Sequence, residues 1–257
     1  MRKSPKKLLT ALAAVLLPSF FLRPVLRLLG HRVAASARIG FSLLWVDKIC
    51  LDQHTRVGHL NLLVVKRLVL RERAYIGRQN VVLGPISIDL APQGAIGNAN
   101  KIVRGRQGLV TSGPSRLYLG RVAKITGGHR IDCTTSISIG DYSTIAGVGC
   151  QVWTHGYVHD TSGPGRYRID GKVFIGDNVY IGAGCIISMG VRIGNGVIVG
   201  AGTTVARDLD EPGLYVSAAI RKLPRPASPE SRADLQSLAD AGLCERVYRK
   251  IPKCQEQ

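Results

Sequence analysis

The chain has 257 residues, of which 45% are hydrophobic and 5% aromatic, and it carries a formal net charge of +18. This length indicates one principal domain with small segments at its ends. The charge favours an anionic partner such as a membrane or a phosphorylated substrate. It does not indicate nucleic-acid binding, because no recognition helix, zinc finger or aromatic RNA-binding motif accompanies it. The six cysteines show no CxxC pair, as expected of reduced thiols in the cytoplasm.

Residues 1–33 combine a basic start with an uncharged stretch at residues 8–22. As a helix, that stretch would span about 22 Å, short of the roughly 30 Å of a bilayer core. The pattern favours a helical anchor that lies in the membrane interface at the cytoplasmic face, with basic side chains facing anionic lipid. A helix that caps the open end of the next domain, and a signal sequence or true span, are the alternatives.

Residues 34–223 carry branched aliphatic side chains at intervals of six. The period of six fits neither a helix nor a simple alternating strand. It indicates a solenoid of short parallel strands with a turn after every strand. The aliphatic grids cover residues 39–69, 76–88, 119–137, 139–145 and 175–205, with breaks expected near 89–118 and 146–172.

The strongest repeat is "VFIGDNVYIGAGCIISMGVRIGNGVIVGAGTTV", residues 173–205. Its spaced aliphatics are Ile175, Ile181, Ile187, Ile193, Val199 and Val205, and glycine follows four of them. This run resembles the hexapeptide-repeat acyltransferase family, in its sugar and polysaccharide O-acetyltransferase branch. The resemblance implies an all-β fold, a left-handed parallel β-helix, here with helical segments at both ends. It also implies a homotrimer with sites in the clefts between subunits.

An insertion at about 146–172 interrupts the repeats and holds His155 and His159 beside Asp160. Insertions into a solenoid cost little and often carry function. The pair Thr154-His155 resembles the Thr-His pair of hexapeptide acetyltransferases, in which the histidine is the general base. The segment "ITGGHRID", residues 125–132, is similar to the sugar O-acetyltransferase branch and adds His129.

The resemblance implies an O-acetyltransferase that moves an acetyl group directly from acetyl-CoA to a sugar hydroxyl. With the N-terminal anchor, it suggests an acceptor in a surface polysaccharide or a lipid-linked glycan precursor. A neutral imidazole is the natural proton acceptor near pH 7. His155 is the first candidate base, followed by His159 and His129, and Asp132 or Asp160 would orient the ring.

The resemblance places CoA along the solenoid edge near the C-terminal coils, and no metal is expected. Glycine-rich corners would let the cofactor approach the backbone, and a backbone N–H there could stabilise the oxyanion. Basic side chains after the last repeat suit the CoA phosphates. The candidates are Gly182 and Gly184 for the oxyanion, Gly200, Ala201 and Gly202 for close approach, and Arg221 and Lys222 for the phosphates.

Residues 224–257 form a tail of different composition. Ser228-Pro229-Glu230 resembles a helix start, so we expect a helix over about 229–241 that ends before Gly242. Such a helix would cap the solenoid or pack in the trimer.

Three alternatives remain for the function. The γ-type carbonic anhydrases share the expected fold, and His129, His155 and His159 would then be zinc ligands. An acetyltransferase could instead serve a small soluble acceptor such as serine, an antibiotic or a free sugar. A non-catalytic scaffold is the third alternative.

Overall fold

The computed structural model describes residues 5–105, 113–159, 161–217, 221–223, 231, 233, 235–238 and 247–250. Met1–Leu223 forms one compact unit and Pro224–Gln257 a second. The first unit contains a parallel β-solenoid of about nine turns. The predicted fold class, a left-handed parallel β-helix, is therefore confirmed.

Each turn of the solenoid contributes strands to three faces. The first face consists of β1 (Arg32–Val33), β8 (Ile86–Leu90), β11 (Ser115–Leu119), β14 (Ile137–Ile139), β19 (Val173–Ile175) and β22 (Arg192–Ile193). The second consists of β2 (Arg38–Ile39), β4 (Arg56–Val57), β6 (Tyr75–Ile76), β9 (Ala95–Ile96), β12 (Lys124–Ile125), β15 (Thr144–Ile145), β20 (Tyr180–Ile181), β23 (Val197–Val199) and β25 (Gly213–Val216). The third consists of β7 (Val81–Leu83), β10 (Lys101–Val103), β13 (Arg130–Asp132), β16 (Gln151–Val152), β21 (Ile186–Ile187) and β24 (Thr204–Val205). Two long strands, β3 (Leu43–Leu51) and β5 (Leu62–Leu70), bend from the third face of one turn into the first face of the next.

The short strands alternate one outward and one inward side chain. In β2 and β4 the arginines Arg38 and Arg56 are exposed, while Ile39 and Val57 are buried. Because the coils stack in register, the inward aliphatic side chains form continuous columns along the solenoid axis. Burying each such side chain contributes roughly 1.5–3 kcal/mol, so the six-residue pattern itself specifies the core.

Both expected breaks in the repeats are shorter than the sequence predicts. Residues 86–103 form β8, β9 and β10, and Leu90, Ile96 and Ile102 are fully buried on a six-residue grid of their own. That grid was missed because the longer β8 shifts the phase by two residues. The repeat also continues through Val152, since β16 pairs with both β13 and β21. The inserted segment follows β16 and forms the antiparallel hairpin of β17 (His155–His159) and β18 (Arg166–Asp170).

A buried polar ladder runs along the corner between the second and third faces. Asn61 Oδ1 accepts the N–H of Asn80 at 2.9 Å, and Asn80 Oδ1 accepts that of Asn100 at 3.0 Å. Asn100 Oδ1 in turn accepts the N–H of His129 at 3.0 Å, and His129 Nδ1 accepts the N–H of Cys150 at 3.1 Å. The ladder supplies partners for backbone groups that the tight corner removes from water.

Two helices occupy the N-terminal segment, α1 (Pro5–Leu16) and α2 (Ser19–Leu28). Helix α1 packs against β3, and α2 packs against β1 and β2. Ala14, Leu22 and Leu26 are fully buried and join the solenoid core. The helices thus cover the first coil. None of the described helices is long and apolar enough to cross a membrane.

The C-terminal segment differs from its prediction. Strand β26 (Arg221–Leu223) pairs antiparallel with β25, and in the second unit β27 (Leu235–Leu238) pairs antiparallel with β28 (Val247–Lys250). The helix expected over about 229–241 is therefore wrong at residues 235–238. Their backbone groups take partners in a segment about ten residues away, and such a pairing is invisible to local helix signals.

Candidate active site

The candidate site lies at the corner between the third and first faces, where the hairpin leaves the solenoid. Asp132 ends β13, and Thr154-His155 follows β16 in the next coil. The two strands pair in register, with Ile131 opposite Val152. Because adjacent strands are about 4.8 Å apart, side chains more than 20 residues apart in sequence become neighbours here.

Asp132 is 6% exposed, and its carboxylate accepts hydrogen bonds from three residues. Oδ1 accepts from Thr134 Oγ1 at 2.8 Å. Oδ2 accepts from the backbone N–H of Thr154 at 3.1 Å and lies 2.8 Å from Thr154 Oγ1. Oδ2 also lies 2.8 Å from His155 Nδ1. A carboxylate with this many donors is fixed in both position and charge.

The charge state of Asp132 follows from these contacts. Desolvation by burial acts to raise its pKa, but the hydrogen bonds from His155, Thr154 and Thr134 outweigh it. The pKa of Asp132 therefore lies below its ordinary value, and the group is an anion near neutral pH.

His155 is the histidine that this carboxylate orients. An anionic carboxylate only accepts hydrogen bonds, so Nδ1 carries the proton and donates it to Asp132. In the neutral ring the lone pair is then on Nε2. The side chain is 27% exposed, so a substrate can reach it. His155 and Asp132 together form a hydrogen-bonded pair in which the imidazole has a defined tautomer.

His129 is not a base in this structure, which corrects its place among the candidates. Its Nδ1 accepts the Cys150 N–H, and its Nε2 lies 3.0 Å from Thr126 Oγ1. The side chain is 1% exposed. Both ring nitrogens are thus engaged inside the polar ladder, where no acceptor can approach.

The structure does not bring His159 to Asp132. It ends β17, is exposed, and lies opposite Arg166 in the hairpin. Four residues of extended chain separate it from His155, about 13 Å at the rise of a strand. Asp160, the other candidate to orient a histidine, lies outside the described residues.

Two threonines in the site had no role assigned from the sequence. Thr154 is fully buried, and its Oγ1 accepts the Thr135 N–H at 3.0 Å while its carbonyl accepts the Gly171 N–H at 2.9 Å. Thr134 holds the second carboxylate oxygen of Asp132. Thr154 thus fastens the start of the hairpin to the coil, and Thr135 Oγ1 donates to the Gly171 carbonyl at its end, at 3.0 Å, so the position of His155 is set by the solenoid. The only sequence signal for Thr134 is its place two residues after Asp132.

The hairpin adds an aromatic and cationic surface next to His155. The guanidinium carbons of Arg166 and Arg168 lie 5.0 and 5.9 Å from the Tyr157 ring centroid. Arg168 Nε also pairs with Asp170, at 2.5 Å. Desolvation acts to lower the pKa of Arg168, but its bonds to Asp170 and Tyr157 raise it, so it stays a cation.

The N–H groups of the two glycines expected at the oxyanion are already used within the chain. Gly182 N–H donates to Val199 O at 2.8 Å, and Gly184 N–H donates to Val148 O at 2.9 Å. Neither is free to bind an oxyanion, which corrects that expectation. The reason is that consecutive coils pair through these corner amides.

The remaining residues expected at the cofactor lie near the C-terminal end of the solenoid. Ala201 and Gly202 are exposed, and a Cβ on Gly202 would meet nothing within 4 Å, so its surface is open to a close approach. A Cβ on Gly200 would lie 2.8 Å from Val216 Cγ1, so that glycine serves packing between coils. Lys222 forms an ion pair with Glu211, and Arg221 is in β26, opposite Val216. The oxyanion role of Gly182 and Gly184 is thus corrected. A contact with the cofactor stays a prediction for Gly182, Gly184, Gly200, Ala201, Gly202, Arg221 and Lys222.

A thiol beside the site does not provide a nucleophile. Cys133 follows Asp132, is fully buried, and lies 3.3 Å from Ser115 Oγ. Burial raises the pKa of this thiol to about 11. It is therefore protonated near pH 7 and cannot form an acyl-enzyme.

The alternative of a zinc site on His129, His155 and His159 is not supported within one chain. His129 has both nitrogens engaged, and the hairpin carries His159 away from His155. Among the residues that the structure describes, no three His, Cys, Asp or Glu side chains lie close enough to share a metal ion.

Comparison with known proteins identifies the repeats. Residues 172–207 match the family model "Bacterial transferase hexapeptide (six repeats)". No match was found among curated protein sequences. The chain is similar in structure to the polysialic acid O-acetyltransferase OatWY, with 16% identity over 76% of this chain and 84% of that one and a TM-score of 0.48.

Two further solved structures are similar over part of the chain. The hexapeptide-repeat-containing acetyltransferase VCA0836 of Vibrio cholerae, complexed with acetyl-CoA, shares 22% identity over 56% of this chain and 70% of that one, with a TM-score of 0.39. The polySia-specific acetyltransferase NeuO shares 15% identity over 76% and 80%, with a TM-score of 0.39. Residues 172–207 therefore carry the hexapeptide repeat that this family model describes, and the stacked coils of the solenoid agree with that repeat.

Proposed function

We propose that the protein is an O-acetyltransferase that moves an acetyl group from acetyl-CoA to a hydroxyl of a sugar. The observation that carries the proposal is the contact of 2.8 Å between His155 Nδ1 and the buried carboxylate of Asp132. A scaffold would not need an ionised carboxylate held by three residues at the base of an accessible imidazole. The description of the matching family as bacterial transferases supports the same class of reaction.

In the proposed acetyl transfer, His155 is the only residue that accepts and returns the proton. Its Nε2 takes the proton from the acceptor hydroxyl as the hydroxyl oxygen attacks the thioester carbonyl. The new C–O bond forms, the C–S bond breaks, and the proton on Nε2 passes to the CoA sulfur. Asp132 keeps the ring in the required tautomer and stabilises the imidazolium that forms in between. No acyl-enzyme is needed, in line with the protonated state of Cys133.

The exposed surface of the hairpin beside His155 favours contact with a second subunit or a bound substrate. The hairpin exposes Tyr157, Val158, Tyr167 and Ile169. An isolated two-stranded hairpin is only marginally stable in water, so these side chains suit a neighbouring subunit or a bound substrate. We assign them to the cleft of a homotrimer, in which the hairpin of one subunit faces the acceptor. A single mass in solution equal to one chain would argue against this arrangement.

The N-terminal helices support docking on the cytoplasmic face of a membrane. Leu16, Phe20 and Phe21 are 69%, 70% and 59% exposed, and Leu8, Leu9 and Leu12 are exposed beside them. The opposite side of the helices is buried in the solenoid. An apolar surface facing solvent next to basic residues is the signature of an interfacial helix. Such docking would place the enzyme near a lipid-linked glycan or a surface-polysaccharide precursor.

The deciding experiment measures CoA release from acetyl-CoA with a panel of free-sugar, lipid-linked and small soluble acceptors. Wild type is compared with His155→Ala and His159→Ala. We expect His155→Ala to lower kcat by about 10²–10⁴-fold, the usual contribution of a general base, with the fold retained. His159→Ala, on the same hairpin, is the matched control and should keep its rate. Loss of activity in His159→Ala alone would refute the assignment of the base.

A further inference from the structure

A second basic region lies far from His155, at the N-terminal end of the solenoid. It is a groove of about 750 Å³, at the corner between the second and third faces. We call it the arginine groove, and its lining includes Arg38, Arg56, Arg78, Phe41, His59 and Tyr75. Pro18 and Ser19, where α2 begins, close one end. The volume is in the range of small-molecule sites.

Glycine lets successive coils stack closely along the floor of the groove. Gly40, Gly58 and Gly77 stack at this corner in three successive coils and line the groove. A Cβ on Gly58 would lie 2.3 Å from the Gly77 carbonyl oxygen, so no larger residue fits. The close stacking at these glycines brings the arginine-bearing strands of successive coils to one strand spacing.

Among the described residues, none forms an ion pair that neutralises the charge of the groove. Its lining contains no aspartate or glutamate. Arg38 and Arg56 lie opposite each other on β2 and β4, one strand spacing apart. Neither they nor Arg78 form an ion pair with any described residue, whereas Arg116 and Arg121 each pair with an aspartate. Like charges directly opposite each other destabilise a sheet, so an anion here would relieve a cost.

Contacts with neighbouring groups position the Arg56 and His59 side chains but do not neutralise the charge of the arginine. The Arg56 guanidinium carbon lies 5.2 Å from the Tyr75 ring centroid. His59 Nδ1 accepts the Phe41 N–H at 3.2 Å. In the neutral ring the proton of His59 is then on Nε2, which is a further donor. Two guanidinium groups and an imidazole N–H on one groove match the oxygens of a phosphate.

The surface beside the groove indicates where that phosphate comes from. The residues after Ser19 are Phe20 and Phe21, which are among the most exposed apolar side chains of the described chain. The mouth of the groove is thus continuous with the apolar surface of the N-terminal helices. A ligand that carries both a phosphate and an apolar part fits this arrangement better than a soluble anion.

We propose that the arginine groove binds the phosphate headgroup of an anionic membrane lipid. The inference rests on the proposed membrane docking and adds a site and a ligand class to it. The helices supply the apolar contact, and the groove fixes the orientation of the solenoid on the bilayer. Acetyl transfer to a soluble acceptor does not depend on the groove.

The test measures binding of the full chain to vesicles of phosphatidylcholine with and without phosphatidylglycerol. The variant is Arg38→Gln/Arg56→Gln. The matched control is Lys48→Gln/Arg67→Gln, because these two exposed basic residues also lie opposite each other, on β3 and β5, outside the groove. We expect the groove variant to lose about 30-fold in affinity for the anionic vesicles, from the usual contribution of two basic residues at a membrane. The control should lose much less, and thermal melting should show that both fold.

Several outcomes would overturn the proposal. Equal losses in the two double variants would mean that net charge acts without a site. Micromolar binding of glycerol 3-phosphate that the groove variant abolishes, with vesicle binding unchanged, would assign the groove to a soluble phosphate. Retention on an acidic polysaccharide, lost in the groove variant alone while vesicle binding persists, would assign it to a glycan. If wild type does not bind vesicles at all, the membrane docking itself fails, whereas a failure of the groove alone leaves docking intact.

Discussion

Replacing Asp132 by asparagine isolates the part that charge plays in the candidate site. The amide can place its oxygen where Oδ2 accepts from Thr154 and His155, and its NH₂ toward Thr134, whose hydroxyl can rotate to accept. The hydrogen bonds are then kept in number and only the negative charge is lost. The variant therefore differs from wild type chiefly when His155 becomes an imidazolium in the transition state.

The size of the effect follows from the geometry. Nδ1 and Oδ2 are 2.8 Å apart, so the centres of the two delocalised charges are about 4 Å apart. At an effective dielectric constant of about 20 their attraction is about 4 kcal/mol. Each ~1.4 kcal/mol changes a rate tenfold, so kcat should fall by about 10³. The KM for acetyl-CoA should stay unchanged, since the ground state loses no contact with the donor.

The assay is steady-state CoA release by Asp132→Asn and by the control Asp52→Asn. Asp52 pairs with Arg32 and Arg71 on the surface, so its replacement removes the same charge far from the hairpin and should leave kcat unaltered. A kcat for Asp132→Asn within threefold of wild type would refute the electrostatic role of Asp132. A tenfold or larger rise in KM with kcat unchanged would show instead that Asp132 positions the substrate.

Four further expectations concern stability and the neighbours of the site. The folded-state pKa of Asp132 is lowered, so its carboxylate stabilises the fold at pH values above the unfolded pKa of about 3.9. This stabilisation is lost as the pH falls through the folded-state pKa. The difference in melting temperature between wild type and Asp132→Asn should therefore shrink on acidification. His129→Ala should lower the free energy of unfolding by about 1–3 kcal/mol in urea titrations, because the buried Cys150 N–H loses its acceptor. Cys133→Ala should keep kcat, and a full loss would reopen covalent catalysis. Gly182→Ala should lower the stability of the fold more than Gly202→Ala does. A Cβ on Gly182 would lie 2.6 Å from Ala201 N, whereas a Cβ on Gly202 would meet no atom within 4 Å and would cost only the strain of its φ of +71°.

The sequence determines the solenoid far better than it determines where each coil begins. A spacing of six identifies inward columns wherever strands are short and corners uniform, as in residues 173–205. It fails where a strand lengthens, as at β8, because the next aliphatic residues fall on a shifted grid and look like a break. The pairing of β27 with β28 is missed for another reason, since it depends on a second strand further along the chain and not on a repeating period.

In the candidate site, too, the sequence predicts which residue types are present but not which of them touch. The pair Thr154-His155 and the candidate Asp132 follow from the motif, but their contact follows from register. Ile131 must lie opposite Val152 for the carboxylate to reach the imidazole. Thr134 was missed because nothing in its local sequence distinguishes it from the other polar residues at corners.

The three candidate histidines have the same side-chain chemistry and differ in where the fold places their ring nitrogens. His129 is buried inside a corner of the solenoid, and both of its ring nitrogens form hydrogen bonds, to Thr126 and to the Cys150 N–H. His159 lies on the far end of a strand that moves away from the solenoid at about 3.3 Å per residue. His155 is the first residue of that strand, so Nδ1 still reaches the rigid carboxylate while 27% of the side chain stays exposed. A base needs one fixed nitrogen and one free nitrogen, and in this fold the first position beyond the coil is where both conditions meet.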